Sequence, residues 1–298
     1  MIKGFRLLHS FTVLVFLCVS AASQAKPLVL SSIKPLTLIA QEIAGDSAGV
    51  DTLLPASASH HDYPLKVSDH TRLQKADLFV WIGPELESFL QKPVANLVSA
   101  KILTAYDLPG IHWPLEAVSP AISDHHHHSK DPHIWLDPRN AVVIARALAD
   151  KLILLDAANA PQYKANLQAF TVKMTALDKK LQVELKPFAG VGFAVYHEGF
   201  AHFVGHYRLQ QLDYLMLTPE QKPGARHMQQ LREKLAKDGR CLFLEPYNNT
   251  QAARNLAQEL RLRVGTLDAL GTQGAKTYTQ LLEQMALDFS ACLANGGR

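Results

Sequence analysis

The amino-acid sequence predicts an α/β protein with two lobes, each a mainly parallel sheet flanked by helices. Short apolar runs alternate with amphipathic stretches from residue 28 onward, and the same alternation restarts after Pro187. One long helical pattern lies between the two halves. Strands that alternate with helices are typical of parallel sheets, because a parallel strand pair needs a crossover connection.

The first 25 residues are predicted to be a signal for export and not part of the fold. A basic start, an apolar run over residues 11–19 and a small-residue cleavage site ending at Ala25 follow one another. This order is that of a secretory signal peptide cut after Ala25. The apolar run is too short to span a bilayer, and the bulky Leu17 before Cys18 argues against a lipid attachment site. We therefore expect an exported protein without a membrane anchor.

The charge of the remaining chain excludes nucleic acid as a partner. Lys3 and Arg6 are removed with the signal, so 28 of the 30 basic residues remain beside 27 acidic residues. The net charge therefore falls from +3 to +1. No basic run or arginine–aromatic cluster is present in the sequence. The remaining 273 of the 298 residues are enough for two domains.

The first half of the chain supplies the elements of one lobe. The predicted strands are 28–33, 50–54, 78–82 and 102–105, and the predicted helices are 37–44, 66–76, the stretch from Pro84 to about residue 100, and 138–155. The apolar residues of the stretch 108–130 do not recur with the period of a helix or a strand, so this stretch is predicted to be a loop. The apolar residues 134–136 that follow His133 are predicted to be a short strand.

A helix over residues 159–186 is predicted to link the two lobes, because its apolar residues recur every three or four positions on one face. The second lobe then has predicted strands at 192–196, 212–215, 241–244 and 263–267, and a last helix from about residue 275 to residue 293. The predicted division is a signal peptide over 1–25, an N-terminal lobe with the histidine-rich loop over 26–158, the linking helix over 159–186, and a C-terminal lobe over 187–298.

Two cysteines remain after the signal is removed, and an even pair in an exported protein favours a disulfide. Cys241 and Cys292 are expected to form it, with two free buried thiols as the alternative.

Three histidines stand where a predicted strand gives way to a loop or a helix: His61, His133 and His197. The carboxyl ends of strands line the ligand crevice in open α/β sheets. Three imidazoles that converge there would form a site for Zn²⁺ or a similar transition metal. Each histidine alone is more often a structural or surface residue, so the prediction depends on their joint placement.

The fourth zinc ligand has three candidates, of which Asp268 ranks first, water second and His60 third. Asp268 also follows a predicted strand, although it could instead cap the next helix. His60 precedes His61, and neighbouring residues of an extended segment point in opposite directions. The histidine run 125–128 (His125, His126, His127 and His128) is predicted to be a secondary site that binds zinc weakly and feeds the main site.

Several motifs together resemble the zinc-binding substrate receptors of high-affinity zinc ABC transporters, over nearly the whole mature chain. They are the segment from Leu54-Pro55 to His61-Asp62-Tyr63, the segment from Arg72-Leu73 to Gly83-Pro84, the run from Pro132 to Pro138, Tyr196-His197, the run from Gln221 to Ala225, Glu245-Pro246, and the run from Gly265 to Gly271. The resemblance implies a periplasmic monomer in which His61, His133 and His197 hold Zn²⁺ in the cleft between two lobes. It also implies a permease and an ATPase as partners, and a periplasmic zinc chaperone as a further one.

Other functions stay open as alternatives. Manganese-binding relatives have a carboxylate where this chain has His197, so zinc is expected over manganese or another divalent metal. An exported zinc-dependent hydrolase would also use three protein ligands, with Glu198 as its general base. The chain lacks the His-Glu-x-x-His and Gly-x-Ser-x-Gly motifs of such enzymes, so no enzymatic activity is expected. A zinc buffer without a transporter would share the same site chemistry.

Overall fold

A computed structural model of the protein describes residues 25–55, 58–114, 130–248 and 250–294. Within the described residues, the first lobe contains one sheet and four α-helices. Its elements are β1 (Leu28–Ser31), α1 (Lys34–Ala44), β2 (Gly49–Thr52), α2 (Val67–Lys75), β3 (Leu78–Trp81), α3 (Gln91–Ala95), β4 (Ile102–Thr104) and α4 (Pro138–Leu155). All strand pairs are parallel, in the order β2-β1-β3-β4.

The second lobe repeats this arrangement after the long helix α5 (Ala160–Leu185). Its elements are β5 (Gly192–His197), α6 (Ala201–Tyr207), β6 (Gln210–Met216), α7 (Ala225–Asp238), β7 (Gly239–Leu244), α8 (Gln251–Glu259), β8 (Arg263–Thr266) and α9 (Tyr278–Leu293). The strands are again all parallel, in the order β6-β5-β7-β8. The predicted fold class is confirmed, because crossover helices connect the parallel strands in both lobes.

Helix α5 packs against both lobes. It contacts α1 and α4 of the first lobe and α9 of the second. From Phe170 onward its buried residues recur every three or four positions, and Tyr163 lies two turns before them; the buried residues are Tyr163, Phe170, Met174, Leu177, Leu181 and Leu185. With 26 residues it is about 39 Å long at 1.5 Å per residue. The predicted long helix is therefore confirmed.

One hydrophobic core continues from the first lobe into the second. It runs from Val29 in β1 through the buried face of α5 to Leu293 in α9. A smaller core covers the other face of the second sheet, where Leu231 and Leu235 of α7 pack against Leu242 of β7. The two lobes are therefore joined by packing as well as by the chain.

Two predicted elements are wrong. Residues 134–136 form a single 3-10 turn, Ile134–Leu136, and not a strand. The helix predicted from Pro84 to residue 100 is broken into the 3-10 turns Ser88–Leu90 and Ser99–Lys101 on either side of α3. Pro93 lies in the first turn of α3. Proline is tolerated there but collides with the turn before it, so α3 begins only at Gln91.

A disulfide joins the last helix to the second sheet, as predicted. Cys241 in β7 and Cys292 in α9 are bonded, with their Cα atoms 6.1 Å apart. In the parts of the chain described here, every helix is too short or too polar to cross a bilayer.

Candidate metal centre

Four histidines converge where the two lobes meet: His60, His61, His133 and His197. One ring nitrogen of each lies within 4.8 Å of those of the others. His133 Nε2 is 3.2 Å from His60 Nε2 and 3.3 Å from His197 Nε2. All four side chains are buried or half-buried. The structure thus brings together the three predicted ligands and adds His60.

Regular backbone positions two of the four imidazoles. His197 is the last residue of β5, which lies inside the second sheet, so its side chain stands at the carboxyl edge of that sheet. His133 precedes the turn Ile134–Leu136, in which Trp135 is fully buried. The backbone N–H of His133 donates to Asp131 Oδ1 at 2.9 Å, which holds the start of the turn.

The other two imidazoles lie on the site loop, which we define as residues 58–62 between β2 and α2. The loop is bent and not extended, so His60 and His61 point to the same side and their ring centroids are 4.3 Å apart. Opposite directions hold for neighbours on a strand, and this loop is not one. The ranking of His60 below Asp268 rested on an extended backbone, which the structure does not have at this point.

Two buried carboxylates orient the imidazoles from behind. His133 Nδ1 lies 2.7 Å from Asp131 Oδ1, and His197 Nδ1 lies 2.7 Å from Glu245 Oε1. A carboxylate at Nδ1 keeps the proton there, so the lone pair at Nε2 faces the other imidazoles. The two carboxylates also supply two negative charges, which would balance a divalent cation.

Burial keeps most of the cluster neutral. It lowers the pKa of His60 well below its usual value, and the neighbouring imidazoles act in the same direction. It lowers the pKa of His61 to about 2, and it also lowers the pKa of His133 despite the opposing effect of Asp131. Burial is the largest single effect on His197 and lowers its pKa, but the charge and hydrogen bond of Glu245 together with the charges of Asp131 and Glu198 outweigh burial and raise this pKa. Neutral imidazoles are the form that binds a metal.

Gly199 keeps the space at the centre of the cluster open. A Cβ atom at this position would collide with Nε2 of His197 and would lie 2.9 Å from Cε1 of His133. Real side chains do not tolerate such distances, so any other residue would fill the place where the imidazoles converge. The glycine therefore belongs to the site although it offers no ligand atom.

Asp268 follows β8 as predicted and is buried, but it is not one of the four grouped residues. Its Oδ2 accepts hydrogen bonds from the Thr272 hydroxyl at 3.0 Å and from the Gln273 N–H at 2.6 Å. His202 is buried behind the site and contacts the carbonyl oxygen of Asp131 at 2.9 Å. The predicted secondary site, His125 to His128, lies outside the described residues.

Sequence reasoning did not assign three residues to the site: Asp131, Gly199, and Glu245, for which a polar loop residue was the simpler interpretation. Asp131 stands two positions before a predicted ligand, and Glu245 directly follows a strand, as the ligands do. Both positions were signals that could have indicated them. Nothing in the sequence indicates that Gly199 faces the cluster, because that depends on how the chain turns after β5.

Comparison with known proteins identifies one family. A family model described as ZnuA, periplasmic component A of a zinc-uptake complex, matches residues 29–292. The high-affinity zinc uptake system protein ZnuA of Yersinia pestis is 33% identical over 292 residues, which cover 90% of this chain and 92% of that protein. The protein of the same name from Haemophilus ducreyi is 32% identical, over 95% of this chain and 98% of its own length.

Solved structures agree with the fold. A crystal structure of a zinc-bound deletion mutant of ZnuA superposes with a TM-score of 0.78 at 27% identity, over 91% of this chain and 100% of its own. A manganese-bound mutant of a periplasmic metal-binding protein from Candidatus Liberibacter asiaticus superposes with a TM-score of 0.77 at 25% identity, over 90% of this chain and 100% of its own.

Proposed function

The chain belongs to the ZnuA family of periplasmic zinc-uptake components, and from this premise we propose that it captures Zn²⁺ between its two lobes and delivers it for uptake. The cluster of four imidazoles carries the proposal. Their nitrogens are suited to zinc, whereas manganese prefers oxygen ligands. The two carboxylates behind the imidazoles supply the charge that a divalent cation needs.

The family is one of transport receptors, so the protein is not an enzyme. The ligand set supports the same conclusion. A catalytic zinc site keeps one coordination position for water or substrate, whereas structural sites fill all four with protein atoms. Four imidazoles around one ion leave no such position, which argues against the hydrolase alternative.

The remaining assignments follow from the same premise. Residues 1–25 act as the export signal, 26–158 and 187–298 form the two lobes, and 159–186 link them. The receptor works as a monomer and passes zinc to an ABC permease driven by an ATPase. A periplasmic zinc chaperone is a further partner. The histidine run 125–128 binds zinc weakly and passes it to the main site. The binding is weak because a stretch that the sequence predicts to be a loop would lose conformational entropy on binding an ion.

Zinc titration of single variants tests the ligand set. Alanine at His60, His61, His133 or His197 should each weaken zinc binding by at least about tenfold, because each removes one of four ligands. His70→Ala is the matched control, since His70 is exposed on α2. Asp268→Ala should bind within about twofold of the parent protein, because Asp268 is not among the four grouped residues and its Oδ2 is engaged by Thr272 and Gln273.

The outcomes separate the candidates for the fourth ligand. A parent-like affinity in His60→Ala together with a large loss in Asp268→Ala would make Asp268 the fourth ligand. Parent-like affinity in both variants would leave that position to water. Removal of residues 125–128 should abolish weak zinc binding and leave one tight site, and loss of the tight site would contradict the role of the run as a feeder.

A further inference from the structure

The site loop is the part of the metal centre that the fold holds least firmly. His133 and His197 are fixed by the buried turn at Trp135 and by the end of β5. The site loop has no helix or strand of its own, although it carries both His60 and His61. If zinc leaves the site, the two imidazoles of this loop are the ones that can move away.

Buried contacts hold the lobes together behind the site. Trp135 Nε1 donates to the carbonyl oxygen of Ala269 at 2.9 Å, and Asp131 Oδ2 accepts from the N–H of Ala201 at 2.9 Å. The continuous hydrophobic core lies on the same side. Separation of the whole lobes would break all of these contacts, whereas displacement of the site loop would break none of them.

Ser59 connects the site loop to the second lobe. Its Oγ accepts hydrogen bonds from the N–H groups of His61 at 3.1 Å and Asp62 at 3.2 Å, which sets the bend of the loop. The same hydroxyl donates to Oε1 of Glu220 at 2.7 Å. Glu220 belongs to the segment between β6 and α7, so this hydrogen bond crosses from one lobe to the other at the surface.

We propose that Glu220 is a clasp that holds the site loop closed over bound zinc and sets the rate of zinc release. This inference rests on the proposed function. Glu220 is a positioning residue, because it acts on His60 and His61 through Ser59 and does not touch the metal. A surface hydrogen bond exchanges readily with water, so the clasp opens more easily than the buried contacts behind the site.

Release kinetics test the clasp. Zinc-loaded protein is mixed with an excess of a chromophoric zinc chelator, and the rate of zinc transfer is followed. Glu220→Ala should release zinc about fivefold faster with an almost unchanged association rate. Glu220→Gln should stay within about twofold of the parent, because the amide oxygen still accepts the hydrogen bond from Ser59. In a Ser59→Ala background, Glu220→Ala should add nothing.

Glu233→Ala is the matched control, because Glu233 is an exposed carboxylate of the second lobe that accepts from Gln229 on its own helix. It should release zinc at the parent rate, and all variants should unfold like the parent in the absence of zinc. Equal rates in Glu220→Gln and Glu220→Ala would assign the effect to charge and overturn the clasp. An unchanged rate in Glu220→Ala would also overturn it. If the parent itself binds no zinc tightly, the proposed function fails and the clasp fails with it.

Discussion

The carboxylate of Asp131 contacts residues of both lobes. One carboxylate oxygen accepts from the backbone and the ring of His133, and the other accepts from the N–H of Ala201 at the start of α6. Burial raises the pKa of this carboxyl, but the charge and hydrogen bonds of His133 together with the charge of His202 outweigh burial and lower it below its usual value. Because the pKa of His133 is lowered as well, an ionised Asp131 faces a neutral His133.

Asp131→Asn should lower zinc affinity by about 10- to 100-fold, which is the usual cost of losing such a partner behind a metal-binding histidine. The amide has no charge and has one acceptor fewer, so it orients the His133 ring less firmly. Competition titration against a zinc chelator measures the change. Asp62→Asn is the control, because Asp62 is an exposed carboxylate of the site loop. Equal affinities in Asp131→Asn and the parent would show that the carboxylate does not support the site.

Gly199→Ala should abolish tight zinc binding and leave the fold intact. The added methyl group would occupy the space between His133 and His197. Calorimetric titration measures binding, and circular dichroism checks the fold. Gly190→Ala is the matched control, since nothing lies within 4 Å of a Cβ atom there. Tight binding in Gly199→Ala would contradict the placement of the cation among these rings.

The buried carboxyl of Glu87 should make the free energy of unfolding depend on pH. Its carboxyl is fully buried and accepts from the N–H groups of Ile82 and Gly83. Burial raises its pKa from 4.5 to about 7, although hydrogen bonds from Ser32 and the backbone act in the opposite direction. Between these two values the folded protein holds a proton that the unfolded chain has released. The stabilisation from this proton is complete below pH 4.5 and is lost as the pH rises to about 7.

The free energy of unfolding should therefore fall by about 3 kcal/mol more in the parent than in Glu87→Gln between pH 4.5 and 7, at about 1.4 kcal/mol per pH unit. The amide of the variant still accepts from Ile82 and Gly83 but does not titrate. Denaturant unfolding at a series of pH values measures the difference. A parallel pH dependence in the two proteins would show that Glu87 titrates near its ordinary pKa.

At the scale of the elements, the disulfide between β7 and α9 provides a covalent link within the second lobe. It closes a loop of 51 residues, for which loss of chain entropy in the unfolded state amounts to about 4 kcal/mol. Reduction should lower the free energy of unfolding by up to about this amount, as measured by denaturant unfolding with and without reductant. Mass spectrometry of unreduced, alkylated protein is the check. Label on Cys241 or Cys292 would contradict the bond.

At the scale of the whole molecule, both lobes should unfold together, because one hydrophobic core passes through them. Tryptophan fluorescence reports on the first lobe, which contains Trp81, Trp113 and Trp135, and far-ultraviolet circular dichroism reports on both. The two probes should have the same midpoint in denaturant. A second transition seen only by circular dichroism would show that the lobes unfold separately.

Two variants of α5 sharpen this test. Leu181→Ala should shift both midpoints together and cost about 2–5 kcal/mol, because Leu181 is fully buried in the shared core. Val183→Ala on the same helix should cost less than about 0.5 kcal/mol, because the side chain of Val183 is 74% exposed.

Local patterns in the sequence determined the order of strands and helices, the two parallel sheets and the long α5. The apolar residues of a helix or a strand recur with a characteristic spacing because one face of the element is buried, so the spacing reveals the type of element. The same reasoning placed His61, His133 and His197 near one another, because the carboxyl ends of parallel strands share one edge. It failed at residues 84–100 and 134–136, where short turns have no period to recognise.

Only the tertiary structure decided the fourth imidazole and the groups that support the site. His60 points into the cluster because the site loop bends, and hydrogen bonds to the Ser59 hydroxyl, which also contacts Glu220 in the other lobe, accompany this bend. Asp131, Glu245 and Gly199 likewise contribute through their positions after the lobes have packed. The direction of a side chain on a turn depends on backbone angles and on contacts with residues distant in the sequence. Neither produces a regular spacing of apolar residues from which it could be predicted.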